Sequence, residues 1–197
     1  MTQNAISPLV PFLLHRGVIR GPSHFPLASG KHTQRLIDMS CLPPYIMDTV
    51  RAMAIEKYAG QNIDIVVGVP RGGTPFADVI APTLSMYRLH GELVRHVILD
   101  KNPGDGSFSL RPGSVRPGER ALVVDDVGTT YGSLLRACSV LAAAGVVVEH
   151  KLVIVNRNPR KRDAVRNGVE FFEHYPIKAF RASHCILCAK GIPLEEV

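Results

Sequence analysis

The chain has no tryptophan, few aromatic residues and no long apolar run. Aromatic residues make up 6% of the 197 positions, and none lies within the densest basic run, Arg157–Arg162, so a base-stacking surface for nucleic acid is not supported. The net charge of +6 suits small anionic substrates equally well. No stretch approaches the ~20 apolar residues of a membrane span, and the N-terminus lacks signal-peptide features. We expect a cytoplasmic protein without a membrane or nucleic-acid partner.

Cysteine is also scarce, and its pattern limits what metal chemistry can be expected. Four cysteines in a chain without a secretory signal argue against a disulfide framework. Cys185 and Cys188 form a C-x-x-C motif, but this supplies only two of the four ligands of a zinc site. Two such pairs could meet across a homodimer, yet a structural C-terminal tail is the favoured interpretation. The histidines show no ligand spacing and are interpreted as surface or packing residues: His24, His32, His90, His96, His150 and His174. The sequence thus predicts no metal held by protein side chains.

Segments of strand and helix character alternate along the chain. This order predicts an α/β fold in which a mostly parallel sheet is flanked by helices. Buried strands are predicted at Ile63–Val69, Arg95–Leu99, Ala121–Val124 and Lys151–Val155. Helices are predicted at Pro8–His15, Tyr45–Tyr58, Pro75–Tyr87 and Ser133–Ala144. The length fits a single domain, residues 1–197.

The most informative stretch is Ala121–Ser133, with the sequence ALVVDDVGTTYGS. A buried strand runs into two carboxylates, Asp125 and Asp126, and then into a turn of small and hydroxyl residues that opens a helix. In an open α/β sheet, ligands bind where a strand ends, and a helix N-terminus with free N–H groups binds phosphate. An acidic pair before such a cradle suits the vicinal hydroxyls of a ribose. The stretch therefore predicts a sugar-phosphate site.

A second strand-to-helix turn lies at Gly68–Pro75. Its glycines, Gly72 and Gly73, would let backbone N–H groups approach phosphate oxygens, and Arg71 adds a cation. Alone, such a turn is weak support for a function. Coupled to the acidic loop, it predicts two anion cradles that hold the two phosphate groups of one ligand.

The segment Asp100–Gly118 is rich in glycine and proline. Long stretches without regular structure are uncommon inside a compact domain and are usually lids or binding loops. Its glycines and prolines argue against a regular element. We predict a mobile flap beside the site.

Together these motifs resemble the type I phosphoribosyltransferases and, within them, the orotate phosphoribosyltransferases. Phe25–Asp38 is similar to their base-binding segment, Gly68–Pro75 to their pyrophosphate loop and Asp125–Ser133 to their ribose-5-phosphate motif. Arg157 falls where those enzymes place an arginine that contacts orotate, and Cys185–Pro193 is similar to the ending of some members. The resemblance extends over residues 10–193.

The resemblance implies the type I phosphoribosyltransferase fold, with a small hood from residues 1–40 and 170–197, in a homodimer. It implies transfer of ribose 5-phosphate from phosphoribosyl pyrophosphate to orotate, in pyrimidine biosynthesis, with Mg²⁺ bound mainly through the donor. The implied catalytic residues are Asp125, Asp126 and Lys101. The implied donor-binding residues are Arg71, Gly72, Gly73, Lys101, Asp125, Asp126, Val127, Gly128, Thr129, Thr130, Tyr131, Gly132 and Ser133. The implied base-binding residues are Ala28, Ser29, Gly30, Thr129 and Arg157.

Two departures from the family pattern leave alternatives open. Family members carry a basic lid that closes over the pyrophosphate of the neighbouring subunit, whereas this chain keeps only Lys101 and has Asp100 in place of an arginine. Arg111, Arg116 or Lys31 could substitute. Tyr131 replaces a residue that is usually glycine, so its side chain must either point away from the ribose or cover it. The alternatives are a transferase for another nucleobase, or a catalytically weak regulator that senses phosphoribosyl pyrophosphate.

Overall fold

The computed structural model describes residues 9–27, 29–88 and 91–196, which form a parallel sheet flanked by helices. The helices are α1 Leu9–His15, α2 Pro44–Tyr58, α3 Thr74–Ser85, α4 Gly132–Ala143, α5 Lys161–Arg166 and α6 Ile186–Ala189, with 3₁₀ turns at Met39–Cys41 and Ala182–His184. The strands are β1 Ile19–Arg20, β2 Phe25–Pro26, β3 Lys31–Thr33, β4 Leu36–Ile37, β5 Ile65–Gly68, β6 Arg95–Ile98, β7 Asp100–Lys101, β8 Phe108–Ser109, β9 Arg120–Gly128, β10 Val147–Asn156, β11 Glu170–His174 and β12 Ala179–Arg181.

Five strands form the central sheet in the order β11-β10-β9-β5-β6, and all neighbouring pairs are parallel. The four strands predicted from apolar runs are all present. Their sequences are continuously apolar because both faces of such a sheet are covered. β9 is longer than predicted and continues through the acidic pair to Gly128. The edge strand β11 was not predicted, because its sequence EFFEH is only half-buried and lacks a clear apolar run.

Alternate side chains of the strands enter two hydrophobic cores, one on each face of the sheet. Val66 and Leu122 pack with apolar residues of α1, α2 and α3 on one face. Val67 and Val123 pack with α4 and α5 on the other. This arrangement confirms the predicted fold class. Among the described helices, none combines the length and apolar character needed to cross a membrane.

Residues 18–38 and 176–196 pair with each other, and we call them the hood. The antiparallel sheet β12-β3-β2 joins its two parts, and β1 pairs with β4. The sequence placed the start of the C-terminal part at residue 170, but β11 belongs to the central sheet.

Four hood side chains converge in a way that the sequence interpretation missed. The C-x-x-C motif was assigned to a structural tail, and the histidines to surface or packing positions. In the structure His24 and His32 are buried and lie against the two cysteines of the motif. No ligand spacing was visible because the two pairs are separated by more than 150 positions, as for His32 and Cys188 at 156.

The predicted flap contains regular structure, contrary to expectation. β7 and β8 form a short antiparallel hairpin, with Asp100 opposite Ser109 and Lys101 opposite Phe108. Its turn is closed by the side chain of Asn102, which accepts a hydrogen bond from the Gly104 N–H at 2.9 Å. Glycine and asparagine here allow a tight turn rather than prevent pairing.

Candidate active site

The two predicted loops meet at the carboxyl ends of β5 and β9. The Val69 N–H donates to the Val124 carbonyl at 2.8 Å, which joins the start of one loop to the strand that leads into the other. A Cβ at Gly73 would overlap that same carbonyl, and a Cβ at Gly72 would overlap the Asp126 carboxylate. The glycines are therefore required for the close approach, and the acidic pair lies directly against the Gly-rich turn.

The turn between β9 and α4 encloses a pocket of about 140 Å³. Its lining is formed by Asp125, Val127, Gly128, Thr129, Thr130, Tyr131, Gly132, Ser133 and Val153. α4 begins at Gly132, so the first backbone N–H groups of the helix have no acceptor within it. Hydroxyl groups and free N–H groups at a helix N-terminus form a phosphate-binding site.

Tyr131 lines this pocket, but its side chain is directed into the hydrophobic core. Its backbone has a φ of 59°, in the left-handed region, and its side chain is 4% exposed. The ring packs over Gly128, where a Cβ would overlap it, and the hydroxyl donates to Asn156 Oδ1 at 2.8 Å. Of the two orientations that the sequence allowed, the structure has the one directed into the core.

Two asparagines connect the turn between β9 and α4 to the end of β10. The Asn158 side-chain amide donates to the Thr129 carbonyl at 2.8 Å, and the Asn158 backbone N–H donates to Asn156 Oδ1 at 3.0 Å. The N–H of Arg157 donates to the Gly128 carbonyl at 2.8 Å. The sequence analysis missed both asparagines. Their position directly after a buried strand, at the same sheet edge as the acidic pair, was the available signal.

The acidic pair has no cation paired with it among the described residues. Burial, together with the adjacent charge of Asp126, raises the pKa of Asp125 to about 8. The Asp126 N–H donates to Asp125 Oδ1 at 3.0 Å, and the Val127 N–H donates to Asp126 Oδ1 at 2.6 Å. Two close carboxylates of this kind are stabilised by a cationic group or by hydroxyl donors placed between them.

Arg157 is the most unusual charged residue at this edge. Its side chain is 9% exposed, and its buried Nε has no hydrogen-bond partner among the described residues. Burial alone lowers the pKa of its guanidinium. A buried charge without a partner is destabilising, and an anion bound at this position would offset that cost. The guanidinium can bind a carboxylate by donating two parallel hydrogen bonds to it.

The remaining predicted residues are more peripheral. Arg71 is exposed in the Gly-rich turn, and the Pro70–Arg71 peptide bond is cis. Ser29 and Gly30 form the exposed turn between β2 and β3, while Ala28 lies outside the described residues. Lys101 is exposed on β7. Within the described ranges, no ion pair joins Lys101 to the strand-end loops and no hydrogen bond joins the Ser29–Gly30 turn to them.

The flap cations are arranged differently from a free basic lid. Arg111 donates two hydrogen bonds to Asp100, from Nε to Oδ2 and from Nη2 to Oδ1, both at 2.9 Å. Arg111, which could substitute for a lid residue, is therefore paired with Asp100, the acid that stands in place of a lid arginine.

Arg136 is a further cation at the pocket that the sequence analysis missed. Its Nη2 donates to Ser133 Oγ at 3.2 Å, and its guanidinium lies 5.6 Å from the centre of the Phe108 ring. Its position one helical turn after Ser133 was the only sequence signal. Arg136 thus connects the flap strand β8 to Ser133, which lines the pocket.

Comparison with known proteins identifies the relatives of this chain. A family model described as a phosphoribosyl transferase domain matches residues 43–180. An orotate phosphoribosyltransferase from Caldanaerobacter subterraneus is 33% identical over 177 residues, which cover 87% of this chain and 86% of that protein. One from Sulfolobus acidocaldarius is 38% identical over 136 residues, covering 68% and 65%. The solved orotate phosphoribosyltransferase from Aeropyrum pernix superposes with a TM-score of 0.66 at 27% identity, covering 84% of this chain and 93% of that one.

Proposed function

Because the chain belongs to the phosphoribosyltransferase family, we propose that it transfers ribose 5-phosphate from phosphoribosyl pyrophosphate to orotate. The products are orotidine 5′-monophosphate and pyrophosphate, in pyrimidine biosynthesis. The observation that carries the choice of acceptor is Arg157, which is buried next to the turn between β9 and α4 and has no side-chain partner among the described residues. Orotate carries a carboxylate that this guanidinium can bind, whereas adenine, guanine and uracil carry none. The relatives named orotate phosphoribosyltransferase support the same acceptor.

The donor is held by the two strand-end loops. Its 5′-phosphate binds the pocket at the start of α4, through the backbone of residues 127–132 and the hydroxyls of Thr129, Thr130 and Ser133. Its pyrophosphate binds Arg71 and the N–H groups of Gly72 and Gly73. The ribose then lies over the acidic pair, because Asp125 lines the pocket and Asp126 lies against Gly72.

Catalysis follows from positioning and charge. As pyrophosphate leaves, the ribose becomes oxocarbenium-like, and the acidic pair both orients its hydroxyls and stabilises the developing positive charge. Lys101 closes over the leaving pyrophosphate with the flap. The uncompensated carboxylates fit a site that works with Mg²⁺, which prefers substrate phosphates and water to an all-protein cage. The ion would neutralise charge on the leaving group.

The base is oriented from two sides. Arg157 pairs with the orotate carboxylate. The Thr129 backbone, which is held by the side chain of Asn158, the residue after Arg157, also contacts the base. Ala28, Ser29 and Gly30 offer backbone groups to the edge of the ring. The proposal also includes a cytoplasmic homodimer, as the family resemblance implies.

The test is a steady-state assay of pyrophosphate release with phosphoribosyl pyrophosphate, Mg²⁺ and each of orotate, uracil, adenine and guanine. We expect turnover with orotate only. Arg157→Gln should raise the KM for orotate by about 10²-fold, because a buried charge pair is lost, and change the KM for the donor little. Arg160→Gln, an exposed arginine paired with Asp163, is the matched control.

Turnover of another base but not of orotate would overturn the choice of acceptor. Tight binding of the donor without pyrophosphate release, for any base, would instead favour the regulator that senses phosphoribosyl pyrophosphate.

A further inference from the structure

Four potential metal ligands converge in the hood, away from the strand-end loops. We call them the His–Cys cluster, which consists of His24, His32, Cys185 and Cys188. His24 precedes β2 and His32 lies on β3, whereas Cys185 immediately precedes α6 and Cys188 lies within it. Both cysteines are free thiols. The cluster therefore brings together two parts of the chain that are separated by about 160 positions, such as His24 and Cys185 at 161.

The ligand atoms have the separations of a tetrahedral zinc site. His24 Nε2 lies 3.1 Å from His32 Nδ1, 3.5 Å from Cys185 Sγ and 3.7 Å from Cys188 Sγ. His32 Nδ1 lies 3.2 Å from Cys188 Sγ, and all four atoms are within 4.8 Å of one another. Zinc bonds of about 2.0–2.1 Å to nitrogen and about 2.3 Å to sulfur place tetrahedral ligand atoms roughly 3.3–3.8 Å apart. One ion fits among them with small adjustments.

The orientation of His24 points to a cation rather than to hydrogen bonding within the cluster. Its Nδ1 lies 2.8 Å from the Ile192 carbonyl, which can only accept, so the proton of the neutral ring resides on Nδ1. Nε2 then carries a lone pair, and three polar atoms surround it within 3.7 Å. A lone pair satisfies one donor. A backbone carbonyl that fixes the second ring nitrogen is the usual outer partner of a metal-bound histidine.

The ligand set selects zinc. Two thiolates and two imidazoles suit Zn²⁺, whereas Mg²⁺ and Ca²⁺ require oxygen ligands, and the cluster contains none. All four positions are filled by side chains, so no position is left for water or substrate, as in structural sites. On binding, both thiols lose their protons to solvent while the histidines bind as neutral rings.

We propose that the His–Cys cluster is a structural zinc site that fastens the two parts of the hood to each other. Among the described residues, the contacts that join the two parts besides the cluster include the three residue pairs of β3 and β12 and the Thr33 hydroxyl, which donates to the Lys178 carbonyl at 3.0 Å. Contacts of the C-terminal tail add to them. Among these, the Glu195 N–H donates to the His24 carbonyl at 2.8 Å, and Ser23 Oγ donates to the Glu195 carboxylate. Strands of two or three residues are weak on their own. A zinc ion supplies the cross-link that they lack.

The hairpin held by His24 and His32 also carries the Ser29–Gly30 turn. If orotate binds there, which rests on the proposed function, removal of the metal should raise the KM for orotate more than the KM for the donor. This expected change in KM depends on the proposed function, whereas the zinc site is tested by experiments that use no substrate.

The test measures metal in the full-length protein, purified without an affinity tag and under reducing conditions. We expect about one zinc ion per chain by mass spectrometry of the metal, and a loss to under about a tenth in Cys188→Ser. Cys138→Ala and His184→Gln should retain it, because Cys138 lies on α4 and His184 is exposed and bonded to Ser183. A chelator should lower the melting temperature of the wild type, and added Zn²⁺ should restore it.

Cobalt substitution provides a readout that does not depend on whether a variant folds. Exchange of the wild-type protein with Co²⁺ should give the intense d–d bands of a tetrahedral ion and a thiolate charge-transfer band. A protein that is purified without zinc, takes up none when Zn²⁺ is supplied with reductant, and gives no such spectrum would overturn the proposal. The cluster would then be a hydrogen-bonded core only, whether or not the orotate assay succeeds.

Discussion

At the residue scale, the ionised form of Asp125 destabilises the ligand-free fold. Its carboxyl is half-buried next to Asp126, and burial is the main reason why its pKa is raised to about 8. The folded protein therefore holds a proton that the unfolded chain releases near its ordinary pKa of 3.8. It follows that the ligand-free fold loses stability as the pH rises from about 4 to about 8.

Asp125→Asn should consequently be stabilising and inactivating at the same time. Asparagine resembles the protonated acid, so its advantage over the wild type in melting temperature should grow from about pH 4 to about pH 8 and then level off. Turnover with donor and acceptor should fall by about 10²–10³-fold or more, because a contact to the developing charge is lost. Thermal unfolding without ligand at several pH values, combined with the steady-state assay, measures both effects.

Asp48→Asn is the control for this prediction, since Asp48 is exposed and pairs with Arg51 on the surface of α2. Its difference from the wild type should not follow this pH window. An Asp125→Asn variant whose melting temperature differs from the wild type by the same amount at every pH would show that the carboxyl is ionised throughout. Near-normal turnover would place the reaction elsewhere.

At the scale of elements, the pattern of apolar residues was enough to predict the strands of the central sheet but not the side-chain arrangement of the site. β5, β9 and β10 follow continuous apolar runs, and the loops after them were identified because parallel strands end at one sheet edge. The orientation of Tyr131 could not be predicted, because it depends on a hydrogen bond to Asn156 on a neighbouring strand. Asn158 was missed for a similar reason, because it donates to the distant Thr129 carbonyl, and Arg136 because its contact with Phe108 on β8 cannot be read from the spacing.

The hood was harder to predict because its strands contain two or three residues each. No periodicity can be read from so few positions, and the paired residues of β3 and β12 are far apart in the sequence, as Lys31 and Arg181 are. The His–Cys cluster has the same origin. Spacing along the sequence reveals ligands on one element but not ligands on two distant ones.

The flap hairpin yields a prediction at this scale. Asp100 accepts two hydrogen bonds from Arg111 on the surface. Under the proposed function, this pair would keep the arginine from the pyrophosphate of the donor. Asp100→Asn should release Arg111 and lower the KM for phosphoribosyl pyrophosphate by up to about fivefold, which corresponds to the strength of an exposed ion pair. The effect should weaken at high salt, because exposed charges are screened. Initial rates at varied donor concentration measure it.

The double variant Asp100→Asn with Arg111→Gln is the matched control for the flap. If Arg111 acts on the donor, the gain should disappear in this variant. An equal gain with and without Arg111 would mean that removing a negative charge from the flap is sufficient by itself. An increase in KM for Asp100→Asn would instead show that the ion pair holds the hairpin in its active position.

At the scale of the whole molecule, the edge of the sheet bears on the proposed homodimer. β6 is an edge strand of the described sheet, and the side chains beside it include Leu93 and Ile98, which are 77% and 41% exposed. Uncovered sheet edges with apolar side chains favour association with another chain. Lys101 lies on β7, which follows β6 after Leu99, and no ion pair involves it among the described residues. Such a lysine can act on the site of a second subunit.

Complementation between two inactive variants tests this arrangement. Lys101→Ala and the pair Asp125→Asn with Asp126→Asn should each be nearly inactive as homodimers. In a heterodimer, purified through two different tags, one of the two sites would combine an intact acidic pair with an intact lysine from the other subunit. We expect about half of the wild-type activity per dimer, because the two-fold symmetry leaves one complete site. A heterodimer as inactive as its parents would mean that Lys101 serves its own subunit, and a single-chain mass in light scattering would exclude the homodimer.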